Sequence, residues 1–162
     1  MEEESLQVLG ETESSHFWPQ TKIRIVHALI SRYIGQTQQS MRLLDIGCGN
    51  GILMQFLSAK YPHIQCTGID GHPVALQLAR QRVPDARLVL QDFMRINEWD
   101  PKNQYDVITL LDVIEHLDDP VQFLQLLKNR LVANGILIVS VPAFMQLWSE
   151  RDEFLGHRKR YT

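Results

Sequence analysis

Apolar side chains at Ile23, Val26, Ile30 and Tyr33 recur at intervals of three and four, which predicts an amphipathic helix over about 20–34, closed by Gly35. Residues 42–46 form a short apolar run that ends in glycines, the mark of a strand. Ile52, Leu53, Phe56, Leu57 and Lys60 return to the helical period until Pro62 stops it, and 64–69 read as a second strand. Pro73 suits the first turn of a third helix running through Arg82, with Val74, Leu78 and the aliphatic stem of Arg82 facing inward. Residues 87–90 give a third strand. The stretch 105–111 is nearly all apolar, as in a strand buried on both faces of a parallel sheet. Asp119, Pro120 and Gln122 then supply an N-cap, a proline at the first helical position and a side chain able to reach back to the cap. That helix turns Val121, Leu124, Leu127 and Leu131 inward and is expected to end near Asn134 and Gly135, before a fifth strand at 136–141.

Strand and helix alternate from Met41 onward, so the fold class expected is α/β: a doubly wound, mostly parallel sheet with right-handed crossovers and helices on both faces. In such a sheet a ligand sits at the carboxyl ends of the strands. The length of 162 residues allows one core, and 44% hydrophobic with 22% charged residues is ordinary globular composition. A net charge of −3 provides no global basic field that would recommend DNA, RNA or an anionic membrane as the main partner. The charge is uneven, however. Residues 1–21 hold five glutamates and no Lys or Arg, which suggests a mobile acidic arm over 1–15 ahead of a domain over 16–162. Arg151, Arg158, Lys159 and Arg160 crowd the other end, either as a surface that meets something anionic or as a solvated face. No apolar run reaches 18 residues and the acidic start is unlike a signal peptide, so the chain reads as cytoplasmic. Cys48 and Cys66 lie in apolar stretches at no metal-ligand spacing and read as reduced thiols.

The sharpest chemical signal is Asp45-Ile46-Gly47-Cys48-Gly49-Asn50-Gly51, directly after a predicted strand and opening a helix. Glycine at alternate positions lets the backbone turn steeply and approach a ligand, while free N–H groups at the helix start favour an anionic group. A dinucleotide fingerprint needs G-x-G-x-x-G and a phosphate loop needs Gly-Lys-Ser/Thr, and neither is present. Asp70 falls at the end of the second strand, where a carboxylate either accepts both hydroxyls of a ribose or caps the following helix at Gly71, His72 and Pro73.

The loop resembles the first motif of the class I S-adenosylmethionine-dependent methyltransferases, D-x-G-x-G-x-G, matched by Asp45, Gly47, Gly49 and Gly51. That resemblance spans the chain from His16 to Thr162 and implies a Rossmann-like sheet with S-adenosylmethionine as cofactor. It places Asp45, Gly47, Cys48, Gly49 and Gly51 at the methionine end, Asp70 and Gly71 at the ribose, and Asp92 with Phe93 at the adenine; Asp92 and Phe93 are equally suited to capping the next turn. Leu111-Asp112-Val113-Ile114-Glu115-His116 looks like the family's strand-four motif and would face the reacting methyl group. Asp112, Glu115 and His116, at i, i+3 and i+4, share one face of a helical turn. On it His116 is the candidate catalytic base, since neutral imidazole can take a proton from an acceptor hydroxyl. The alternative is that the turn only ties the strand to its neighbours.

A sub-group of these enzymes, including ubiquinone-pathway O-methyltransferases, holds a divalent metal on an E-x-x-E-H turn plus a distal histidine. By that resemblance Asp112, Glu115, His116 and His157 form a candidate metal set, with Asp112 in place of the first glutamate. Phe17, Trp18 and Trp148 either fold over a ligand or plug gaps in the core. The function implied is methyl transfer to an acceptor, most simply an oxygen of a small molecule, the alternative being a non-catalytic S-adenosylmethionine-binding regulatory module. The family fold has seven strands and five are countable here, in expected order 3-2-1-4-5. The last two being absent predicts the N-terminal part of a longer protein, with 136–141 as an open edge able to recruit a second copy into a homodimer.

Overall fold

The computed structural model describes residues 17–34, 40–100 and 102–162; the acidic segment 1–15, His16 and Gly35 lie outside them. Helix α1 (Phe17–Ile34) leads into β1 (Met41–Ile46), α2 (Ile52–Lys60), β2 (Ile64–Asp70), α3 (Pro73–Arg82) and β3 (Arg87–Leu90). A 3-10 turn (Phe93–Arg95) and one helical turn, α4 (Ile96–Trp99), precede β4 (Tyr105–Leu111). A second 3-10 turn (Ile114–His116), α5 (Pro120–Lys128), β5 (Leu131–Ser140), a third 3-10 turn (Met145–Leu147) and α6 (Glu150–Phe154) complete the order. The sheet has the expected sequence of strands, β3-β2-β1-β4-β5, and every pairing is parallel.

Alternation along the central strands divides the core into two layers. Leu43, Cys66 and Val107 point to the side covered by Ile23, Val26 and Ile30 of α1, Leu53, Met54 and Leu57 of α2, and Leu76 of α3. Leu44, Ile69 and Ile108 point to the other, where Ile96 of α4 and Phe123 and Leu127 of α5 meet them. Burial on both faces accounts for the unbroken apolar run of β4.

Three expected inner faces shift. In α1, Ile23, Val26 and Ile30 are buried but Tyr33 is exposed. In α3 the buried residues are Leu76 and Ala79, with Val74 and Leu78 only half-buried, while Arg82 sends Nη1 to the carbonyl of Asn50 at 3.0 Å. The reason is the close passage of α3 against the glycine loop: a Cβ on Gly51 would lie 3.0 Å from that of Ala79, so the small residue must face it. In α5, Pro120, Phe123 and Leu127 are buried and Val121 is 63% exposed. The N-cap is as expected, Asp119 Oδ1 accepting from Gln122 N at 2.9 Å.

The helix also stops earlier than its periodicity suggests, at Lys128, and Leu131 already pairs with Tyr105. The chain then bulges before Ile136 resumes opposite Val107, and Asn134 sits inside the bulge at φ +63°. Asn134 and Gly135 thus serve a bulged strand and not a helix end. Beyond β5 the chain turns back over the carboxyl end of the sheet, where Ala143 bridges Tyr161, and among the described residues β5 pairs with β4 alone. No described helix is long and apolar enough to cross a membrane.

Candidate cofactor and acceptor site

The loop after β1 is wound tightly by three glycines in the left-handed region, Gly47 at φ +70°, Gly49 at +51° and Gly51 at +78°. A Cβ on Gly47 would lie 2.7 Å from Val113 Cγ2, and one on Gly51 would meet α3, but one on Gly49 would meet nothing within 4 Å among the described residues. The first and third glycines therefore admit neighbouring protein, whereas the second faces open space. Asp70 latches the loop from β2: Oδ2 accepts from Gly49 N at 2.9 Å and Oδ1 from His72 N at 2.8 Å. Asp70 thus holds the turn ahead of α3 but does not cap the helix, whose N-cap is His72, and Gly71 beside it is exposed.

Asp45 lies beneath the loop, 3% exposed, with Oδ1 accepting from Thr109 Oγ1 at 2.6 Å. Burial pushes its carboxyl up to about 7 and the charge of Asp70 adds to this, while the Thr109 hydroxyl pulls the other way. Cys48 is buried and burial raises its thiol, which leaves it protonated and unreactive. At the end of β3, Asp92 Oδ1 accepts from Met94 N at 2.9 Å and so caps the turn, and Phe93 packs in a tilted arrangement 5.5 Å from Phe123. Leu111 closes β4 half-buried against the α1–α3 layer.

The turn after β4 departs from expectation. Ile114–His116 is a 3-10 turn preceded by Asp112 at φ +56°, so Asp112, Glu115 and His116 do not share a helical face. Asp112 instead points to α1 and β5, bonding Lys22 Nζ through Oδ2 and accepting from Ser140 Oγ at 2.9 Å through Oδ1. Glu115, His116 and His157 do come together, each offering a ligand atom within 4.8 Å of the others. Asp112 is not in that group.

Glu115 is fully buried and neither carboxylate oxygen has a hydrogen-bond partner among the described residues. Burial pushes it up to about 7, with the charge of Asp112 adding to the effect. His116 has Nδ1 3.3 Å from the carbonyl of Gly156, and burial together with the neighbouring His157 holds its imidazole below the usual range. The two rings stand nearly perpendicular, 4.9 Å apart.

What brings His157 here is a C-terminal strap that periodicity did not reveal. Arg158 N donates to Glu115 O at 2.8 Å, Arg158 Nε to His116 O at 3.0 Å and Tyr161 Oη to Ile114 O at 3.0 Å. Two of the four basic residues of this segment meet the protein's own acids, Arg158 pairing with Asp118 and Arg160 with the buried Asp152. Only the Ser149-x-x-Asp152 spacing, a capping-box pattern, hinted at order there. Beside the strap Phe144, Met145, Leu147, Phe154 and Leu155 are exposed, and Trp148 is half-buried, outside both core layers. A cavity of about 630 Å³ opens at the opposite, amino ends of the strands, where Arg42 and Arg87 are paired with Asp106 and Asp100.

Comparison with known proteins bears on the family and the fold. The chain is 30% identical over 128 residues to the ubiquinone biosynthesis O-methyltransferase of Glaesserella parasuis, covering 73% of this chain and 53% of that protein. It is 32% identical over 100 residues to the trans-aconitate 2-methyltransferase of Enterobacter sp., covering 62% and 38%. It thus spans about half the length, or less, of these curated relatives. Among solved structures, the plantazolicin methyltransferase BpumL, crystallised with a desmethyl analogue and SAH, superposes at a TM-score of 0.73 with 20% identity, covering 91% of this chain and 60% of that one. A family model described as "Methyltransferase domain" matches residues 17–161. With that match running through the glycine loop, the β4 turn and the strap alike, the chain belongs to the methyltransferase-domain family.

Proposed function

We propose that this chain binds S-adenosylmethionine at the carboxyl ends of β1, β2 and β3 and transfers its methyl group to an oxygen nucleophile of a small molecule. The observation that carries this reading is the Gly49–Asp70 latch, which sets an open left-handed glycine directly beside the acid that ends β2. Gly47, Cys48, Gly49 and Gly51 would let the methionine end approach the backbone closely, their N–H groups being taken up by Ile69 O, Asp70 Oδ2 and Cys48 O, with Asp45 bonded to Thr109 at the end of the strand below. Asp70 has lone pairs left beyond its two backbone bonds and would take the ribose hydroxyls next to the exposed Gly71. Asp92 and Phe93 would border the adenine, and Leu111 the reacting end.

When bound, the sulfonium supplies a methyl group that is already activated, so no covalent protein nucleophile is needed. The protein's part is to hold the acceptor oxygen in line, keep water out and receive the proton. His116, kept neutral by burial and by His157, suits the last task. The relatives named as O-methyltransferases favour oxygen as the nucleophile.

A second reading, which would replace His116 as the proton acceptor, is supported by the two oxygens of Glu115 that have no partner among the described residues: Glu115, His116 and His157 would hold a divalent cation, whose chemistry would be to polarise the acceptor oxygen. A non-catalytic S-adenosylmethionine-binding module is the remaining alternative. Calorimetric titration with S-adenosylmethionine and its demethylated product, followed by methyl-transfer assays on a panel of hydroxyl-bearing small molecules, separates these. Binding without transfer to any acceptor favours the regulatory module, and absence of binding overturns the whole reading.

A further inference from the structure

Asp152 has no share in the reading above, yet it is one of the most heavily bonded side chains described. It is 1% exposed. Its Oδ1 accepts from Arg160 Nε at 2.8 Å and His157 Nδ1 at 2.9 Å, and its Oδ2 from Arg160 Nη2 and Ser149 N, both at 2.9 Å, and from Ser149 Oγ at 3.1 Å. The Arg160 guanidinium forks across both oxygens, the pairing of an ionised carboxylate. An ionised carboxylate can only accept, so His157 Nδ1 must carry the proton of that bond. When the ring is neutral, its lone pair is then on Nε2.

The backbone fixes where the ring goes. His157 N donates to Asp152 O at 2.9 Å, and the next residue is tied to Glu115 O at 2.8 Å. His157 is therefore held between the carboxylate that orients it and the Glu115–His116 pair it faces.

We infer that Asp152 is a positioning residue for the site: it locks His157 in the Nδ1–H tautomer, so that a lone pair and not an N–H is presented to the space shared with Glu115 and His116. A lone pair can take a proton from an acceptor hydroxyl or ligate a cation, and an N–H can do neither. The inference rests on the reading of that space as the acceptor side of the methyl-transfer site.

Long-range proton–nitrogen NMR spectra of the full chain at about pH 8.5, where imidazoles are neutral, report which nitrogen of each ring is protonated. Comparison with His157→Gln assigns the His157 signals. The expected result is an Nδ1–H ring in the unaltered protein. In Asp152→Asn the amide can turn its NH₂ toward Nδ1, and the population should move to the Nε2–H form. Arg160→Lys and Ser149→Ala loosen the strap but keep an ionised Asp152, so a bond that served only to anchor the strap predicts a change there too, whereas the inference predicts an unchanged tautomer. Nε2–H in the unaltered protein overturns the inference even if Asp152→Asn fails to fold, as does an unchanged tautomer in a folded Asp152→Asn. With an acceptor in hand, Asp152→Asn should lower turnover about 10–100-fold at unchanged cofactor affinity. Failure to bind S-adenosylmethionine would overturn the function proposed and leave the tautomer result standing, so the two failures are distinguishable.

Discussion

Gly49 and Asp70 are 21 residues apart in sequence and joined by a 2.9 Å hydrogen bond from the glycine N–H to the carboxylate. The bond ties the loop after β1 to the end of β2, so the acid proposed to receive a ribose also shapes the loop beside it. Replacing Asp70 by Ala should weaken binding of S-adenosylhomocysteine by about 1.5–3 kcal/mol, the range for charge-assisted hydrogen bonds. Calorimetry is the measurement, and an unchanged affinity would remove the ribose assignment.

The two neighbouring glycines should respond differently to alanine. At Gly49 only the left-handed backbone is penalised, at about 1–2 kcal/mol, because the space beyond is open. At Gly51 the same penalty is joined by contacts of 3.0 and 3.1 Å with Cβ and Cα of Ala79, so the loss should reach about 2–4 kcal/mol. Denaturant unfolding of both variants tests this, and equal losses would mean that α3 is not packed on the loop.

Asp45 should make the fold less stable as pH rises. Its folded-state pKa, pushed up to about 7, exceeds the ordinary 3.8, so between these values the native state holds a proton that the unfolded chain has released. The carboxyl therefore destabilises progressively from about pH 4 to pH 7, to the order of 4 kcal/mol for a fully buried group. Asp45→Asn, which can still accept from Thr109, should gain on the unaltered protein across that window. Parallel urea titrations from acid to neutral pH that show a constant difference would contradict this.

If a cation binds, manganese or zinc should be held by Glu115, His116 and His157 and not by Asp112. His157→Ala and Glu115→Gln should abolish stoichiometric binding, whereas Asp112→Asn should retain it and cost at most about 1 kcal/mol through the lost Lys22 pair. Affinity should also fall as pH drops through the histidine titration. Elemental analysis and titration calorimetry decide, and retained binding in His157→Ala would show that the cation sits elsewhere.

The outer edge of β5, with Val139 38% exposed, should support association of two copies. Sedimentation velocity over a wide concentration range should show a monomer–dimer shift that Val139→Lys suppresses. A monomer at every concentration would be the contrary result.

The strand–helix alternation, the glycine loop and Asp70 at the end of β2 are legible in the sequence because each is a local matter: period two or 3.6, and glycine where the backbone must turn left-handed. The strand order followed from the motif's resemblance, since periodicity predicts strands but not their neighbours. Local pattern failed where a neighbour decides. Val121 fits a helical stripe, yet Phe123 faces the sheet; Asn134 and Gly135 look like a helix end, yet pairing of Leu131 with Tyr105 makes them a bulge.

The same limit governs the acceptor side. The sequence by itself placed Asp112, Glu115 and His116 close together after β4 and predicted one shared helical face, and its resemblance suggested His157 as their distal partner. Only the tertiary structure decided that the turn is 3-10, that Asp112 stays outside it on Lys22 and Ser140, and that Glu115 is buried with no partner among the described residues while Asp152 hydrogen-bonds His157. Those outcomes depend on a strap returning some forty residues later across the carboxyl end of the sheet, and contact energy at such a separation leaves no period in the chain to read.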